Sequence, residues 1–147
     1  MAGKPANWAG NVTFGAERFH RPASLPQLQR LVARSQRVRA LGTGHSFSRL
    51  ADTPGDLICL TGLPRLIEAD TAGRAVTVGA GLTYGDVAAA LHQAGRALPN
   101  LASLTHISVA GACATGTHGS GDGHGSLASG VGRRDGHRGR GRRDREP

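Results

Sequence analysis

Ala40-Leu41-Gly42-Thr43-Gly44-His45-Ser46 sets one histidine in a glycine-rich turn directly after an apolar, strand-like run. Glycine frees the backbone to bend tightly and to turn its N–H groups toward a phosphate, while the imidazole stands beside whatever that phosphate carries. A second run of small residues and hydroxyls follows at Ser103-Leu-Thr-His-Ile-Ser-Val-Ala-Gly-Ala-Cys-Ala-Thr-Gly-Thr-His-Gly-Ser-Gly121. Two such runs in one chain point to a long ligand that contains a diphosphate.

Each feature also has a plainer reading. A histidine in a turn is usually a solvated, hydrogen-bonding side chain, and a Gly/Ala/Ser run is usually a flexible loop. Gly42-Thr-Gly-His-Ser-Phe47 lacks the third glycine of the dinucleotide fingerprint, and no acidic residue is placed for a ribose, which disfavours a nicotinamide dehydrogenase. His106, His118 and His124 with Cys113 share none of the paired spacings of zinc ligands, so no metal is expected. His118 is expected to support the loop and His106 to hydrogen-bond to backbone; His20 and His92 read as surface or core-edge residues.

Asn7-Trp-Ala-Gly-Asn11, Gly42 to Phe47, Leu98-Pro-Asn100 and Ser103 to Gly121 together resemble the amino-terminal flavin-binding segment of bacterial alditol (xylitol) oxidases, within the vanillyl-alcohol oxidase superfamily. The resemblance runs from about Asn7 to Ser129. It implies an α+β fold, the first part of a PCMH-type FAD-binding domain over residues 7–129, with FAD bonded covalently through His45. It further implies cofactor contacts from Ala40, Leu41, Gly42, Thr43, Gly44 and Ser46, and from Ser103, Ser108, Gly111, Ala112, Cys113, Ala114 and Thr115. Ser103 falls at the flavin–substrate boundary. The implied reaction is hydride transfer from a polyol to flavin, with dioxygen reduced to hydrogen peroxide. A sugar-1,4-lactone oxidase or dehydrogenase is the close alternative. The family's enzymes are longer and carry a substrate domain, so no catalytic acid or base is expected here and this chain reads as an inactive part.

The composition changes abruptly at Gly130. Gly130–Pro147 holds seven of the chain's 18 Lys+Arg and three of its 10 Asp+Glu, half of the formal +8. With Val131 as its one apolar residue it cannot offset its ordering entropy, and a disordered Gly/Arg-rich tail is expected over residues 130–147. Arginines of this kind attract nucleic acid by counterion release. The genetic code offers another source. Read from the second nucleotide of each codon, the segment permits a strand, an Asp-Gly turn and a second strand, as a shifted frame would produce. A frameshift is the preferred reading, which disfavours a nucleic-acid partner; resequencing across codon 130 tests it.

Before the tail, a strand is expected at Val12–Phe14. Ser24-Leu-Pro-Gln27 reads as a capping box opening a helix with Leu28, Leu31 and Val32 on its buried side. Strands are expected at Arg37–Leu41 and Leu57–Leu60, and a hairpin from Leu66–Ala69 and Ala75–Val78 around Asp70–Arg74. Thr83 with Asp86 opens a second helix over Val87, Ala90 and Leu91, which Gly95 ends. Cys59 and Cys113 read as buried thiols. Met-Ala-Gly-Lys-Pro lacks the apolar core of a signal peptide and no apolar run is long enough for a membrane span, so a cytoplasmic protein without membrane partners is expected.

Overall fold

The computed structural model describes residues 4–70 and 75–132. Three short parallel strands, β1 (Arg18–His20), β2 (Val38–Leu41) and β3 (Asp56–Cys59), form one sheet in the order β1-β3-β2. The strand latest in sequence is therefore central. Leu57 and Ile58 in it are among the most completely buried side chains, and Leu57 joins Val12, Phe14 and Leu41 in the first of three apolar clusters.

The helix α1 (Leu25–Arg34) connects β1 to β2. Ser24 caps it by accepting from the Gln27 N–H at 3.4 Å, while Gln27 Oε1 reaches back to the Ala23 N–H at 2.8 Å. Pro26 sits in the first turn, where no backbone donor is needed. The buried side is narrower than expected: Leu31 is buried, Leu28 half-buried and Val32 exposed. A sheet of three short strands covers little helix surface.

Val12–Phe14 does alternate, with Val12 and Phe14 buried and Thr13 exposed, but it makes only a single bridge from Thr13 to Ala6. The sheet strand is Arg18-Phe19-His20 instead, whose composition conceals it because two of its three residues serve a carboxylate. Arg18 Nε and Nη2 donate to Asp56 at 2.8 and 3.0 Å, and His20 Nε2 lies 2.6 Å from the same group. Arg18 first, then His20 and the Ser35 hydroxyl, hold the Asp56 carboxyl far below the usual carboxylate range.

β4 (Ile67–Ala69) and β5 (Val76–Val78) form the antiparallel hairpin, in the register Ile67 to Val78. Asp70 closes it through its N–H to Ala75 O at 2.9 Å; Thr71–Arg74 of the expected turn lie outside the described residues. α2 (Tyr84–Gln93) opens on a full capping box: Thr83 Oγ1 accepts from the Asp86 N–H at 3.2 Å, and Asp86 Oδ2 accepts from the Thr83 N–H at 2.9 Å. Gly95 ends it at φ +67°, with the Arg96 N–H returning to Leu91 O at 2.8 Å. Val87 and Leu91 of α2 pack with Leu82 against the hairpin's Ile67, Val76 and Val78.

α3 (Val109–Ala114), in a stretch expected to contact a cofactor but given no helix or strand, buries Ala112 against Tyr84 and Leu127. Single 3-10 turns at Arg49–Ala51, Leu60–Gly62 and Leu127–Gly130 complete an α+β fold. Cys59 and Cys113 are half-buried rather than fully buried. The Cys113 Sγ lies 3.8 Å from the Tyr84 hydroxyl, and burial with this neighbour pushes the phenol up to about 12. No helix among the described residues is long and apolar enough to cross a membrane. Residues 133–147 of the expected disordered tail lie outside the described residues.

Candidate functional site

The turn after β2 is clasped from two sides. On one side Thr43 and Ser108 bond reciprocally: the Ser108 N–H donates to Thr43 Oγ1 at 3.2 Å, and the Thr43 N–H donates to Ser108 Oγ at 3.4 Å. Ser108 is buried at 3% exposure, and its hydroxyl occupies the space that a Cβ on Gly42 or Gly111 would need. Both glycines are thus required by close approach, which ties the first small-residue run to the second.

On the other side stands Asn7, buried at 5% exposure. Its Nδ2 donates to Asn11 Oδ1 at 2.7 Å and to Ser46 O at 3.1 Å, and its Oδ1 accepts from the Val12 N–H at 3.0 Å. The adjacent Trp8 N–H donates to Gly44 O at 2.9 Å, and Gly44 takes φ +70°. A left-handed residue there makes glycine the fitting choice.

This clasp holds His45 under Trp8. The two rings stack with centroids 4.4 Å apart and planes 21° apart, although Trp8 is 62% exposed. His106 comes in from the second segment, its ring centroid 4.5 Å from that of His45 and its Nε2 within hydrogen-bonding reach of His45 Nε2. The backbone on either side of His106 is fixed to α2, with the Gly85 N–H on Thr105 O at 2.7 Å and the Tyr84 N–H on Ile107 O at 3.1 Å. Partial burial first, then the His106 imidazole, holds His45 below the usual histidine value. Its neutral form, which carries the nucleophilic lone pair, is favoured at neutral pH.

Among the predicted contact residues the structure gathers Gly42, Thr43, Gly44, His45, Ser46, Ser108 and Gly111 around this clasp. Ala40 is exposed on β2, whereas the Leu41 and Ala112 side chains face apolar clusters. Thr115 caps α3 by donating to Gly111 O at 3.0 Å. Ala114 and Ser103 are exposed, and Cys113 is half-buried. His106 faces His45 rather than the backbone as expected, because its ring lies inside the aromatic cluster. His118 Nδ1 pairs with Gly119 O at 3.0 Å. Among the described residues no group of three or more His, Cys, Asp and Glu could hold a metal ion.

Asn7 and Trp8 helped to carry the resemblance in sequence, but neither was expected in the site. Their signal was an asparagine and a tryptophan in a short polar opening, which becomes a latch only through contacts with residues far along the chain.

The geometry fits a flavin nucleotide. Among the described residues the N–H groups of Gly44, His45 and Ser46 meet no protein acceptor, next to a neutral imidazole on an exposed aromatic surface. A family model described as an FAD binding domain matches residues 16–131. The chain belongs to this FAD-binding family. It is 48% identical over 134 residues to an alditol oxidase of Streptomyces sp., across 89% of this chain and 32% of that protein. It is 37% identical over 120 residues to an L-gulono-1,4-lactone dehydrogenase of Mycobacterium tuberculosis, and 33% identical over 129 residues to an L-gulonolactone oxidase of Bos taurus. These matches cover 79% and 85% of this chain and 28% and 29% of those proteins, respectively. The FAD-binding chain thus spans about a third of the length of the curated relatives it matches. In fold it is similar to a cholesterol oxidase from B. sterolicum, with a TM-score of 0.65 at 20% identity over 78% of this chain and 24% of that one.

Proposed function

We propose that residues 7–129 are the first part of the FAD-binding domain of an alditol oxidase, with His45 as the residue bonded to the flavin. The carrying observation is the clasp: a neutral imidazole, held by Trp8 and His106, on a turn whose glycines and hydroxyls are locked to the second small-residue segment. The 48% identity to an alditol oxidase supports the polyol class.

Bound FAD would accept a hydride from a polyol carbon and pass the electrons to dioxygen, giving hydrogen peroxide. The chain's own residues bind and orient. Gly42 and Gly44 let the backbone approach the cofactor, and the Gly44, His45 and Ser46 N–H groups are the donors available to its diphosphate. Thr43 and Ser108 fix the turn for that purpose, since each satisfies the other. Ala40 and Leu41 contribute backbone from the end of β2, and Ser46 a hydroxyl. Ala112, Cys113, Ala114 and Thr115 line α3 with small side chains that permit close packing. Ser103, exposed, is placed to touch both flavin and polyol. Trp8 keeps water off one face of the His45 ring.

A lactone oxidase or dehydrogenase is the second reading, favoured by the relatives at 33% and 37% identity. The test uses the longest open frame that carries this sequence, resequenced across codon 130. The purified protein should be yellow, retain flavin through acid precipitation, and form peroxide with polyols in preference to aldonolactones. His45→Ala should release the flavin on precipitation. Retained flavin in that variant would show another attachment residue, and faster turnover of lactones would select the second reading.

A further inference from the structure

Bonding a flavin through His45 requires the imidazole to give up a proton. A ring nitrogen of neutral imidazole forms a bond to the methyl carbon on the flavin ring, and the imidazole stays cationic until its other N–H proton leaves. At that carbon one C–H bond breaks, its proton departs, and its electron pair passes into the ring system, which is reduced. Dioxygen then takes the two electrons together with the two released protons, leaving oxidised flavin and one hydrogen peroxide. The balance is closed by the same oxidant that the proposed function uses.

Resting on that attachment reading, we propose that His106 is the positioning residue that accepts the imidazole proton of His45. The two Nε2 atoms face each other, so the His45 tautomer with hydrogen on Nε2 directs that hydrogen at His106 and leaves the lone pair on Nδ1 for the new bond. Trp8, stacked on His45 at 4.4 Å, stops the ring from turning away. His106 is itself held in place, since Thr105 and Ile107 are tied to the start of α2 and the Ile107 N–H returns to Leu104 O at 3.3 Å. A neutral imidazole suits this task better than a carboxylate. A carboxylate would favour the cationic form of His45, which is not a nucleophile, whereas an imidazole brings no fixed negative charge to the pair.

The test is reconstitution of the flavin-free protein, in its longest open frame, with FAD in air. Acid-stable flavin on the chain is followed against time, and reversible FAD binding is measured in parallel. His106→Gln, which keeps a hydrogen-bonding side chain but cannot carry the proton away, should slow attachment about tenfold or more. Reversible FAD affinity should stay within about threefold. His106→Ala should be slow as well, and added imidazole should restore part of its rate. Attachment at the unsubstituted rate in His106→Gln overturns the proposal, as does a slow His106→Ala that imidazole does not rescue. Absence of covalent flavin in the unsubstituted protein overturns the attachment reading and this proposal together, whereas covalent flavin in His45→Ala overturns only the choice of His45 and what depends on it.

Discussion

Single side chains decide the shape of the turn at Gly42–Ser46. Asn7 uses both ends of its amide on three partners while almost fully buried, so Asn7→Ala leaves the Val12 N–H and Ser46 O without their partner. A loss of about 1–3 kcal/mol is expected, read from chemical denaturation. His45 should titrate below a free histidine when its ring protons are followed by NMR, and His106→Ala should move it part of the way back, since burial is the larger cause and remains. The histidine was legible in the sequence, since glycines on either side announce a turn and an imidazole in it is conspicuous. Its partners were not: Trp8 and His106 lie far from it along the chain, and nothing local in either segment indicates that their rings meet.

At the scale of elements, local rules located α1, α2 and the strands β2 to β5, and missed β1 and α3. Thr83 and Asp86 satisfy each other across three residues, a pairing complete within one turn of chain, so α2 could be read directly. Thr83→Ala should cost about 1 kcal/mol, measured as a shift in the denaturation midpoint. The four later strands were legible to within a residue of their ends, the hairpin pair through the turn between them, whereas β1 is masked by Arg18 and His20, whose partner Asp56 belongs to another strand. The helix α3 was hidden differently, because Val-Ala-Gly-Ala-Cys-Ala composes a loop as easily as a short helix until Tyr84 and Leu127 give Ala112 something to pack on. The join between the turn and α3 can be probed by a mutant cycle. Gly42→Ala should destabilise by about 1–3 kcal/mol because the new methyl meets the Ser108 hydroxyl. Adding Ser108→Ala should recover part of that loss, and purely additive effects would show that the two residues do not meet.

For the molecule as a whole, Asp52, Asp56 and Asp86 all have carboxyl groups held below their ordinary range, by the Gly15 N–H, by Arg18 and by the Thr83 N–H as their leading causes. A depressed folded-state pKa contributes stability that is present above the unfolded value, near 4, and lost as pH falls through the folded value. The protein should therefore lose stability steadily below about pH 4. Asp56→Asn should be less stable at neutral pH, with a Tm lower by several degrees, and should show a shallower decline in acid; an unchanged acid profile would count against the Arg18–Asp56–His20 cluster. The sheet order carries a further consequence, for the time at which the chain is made. Because β3 sits between two strands that precede it in sequence, β1 and β2 leave the ribosome with no neighbour to pair with, and among the described residues α1 is the one α-helix before Asp56 that can close its own ladder of hydrogen bonds. Nascent chains stalled before Asp56 has emerged should be cut freely by protease at both early strands, and protection should arrive at both together once the middle strand is out.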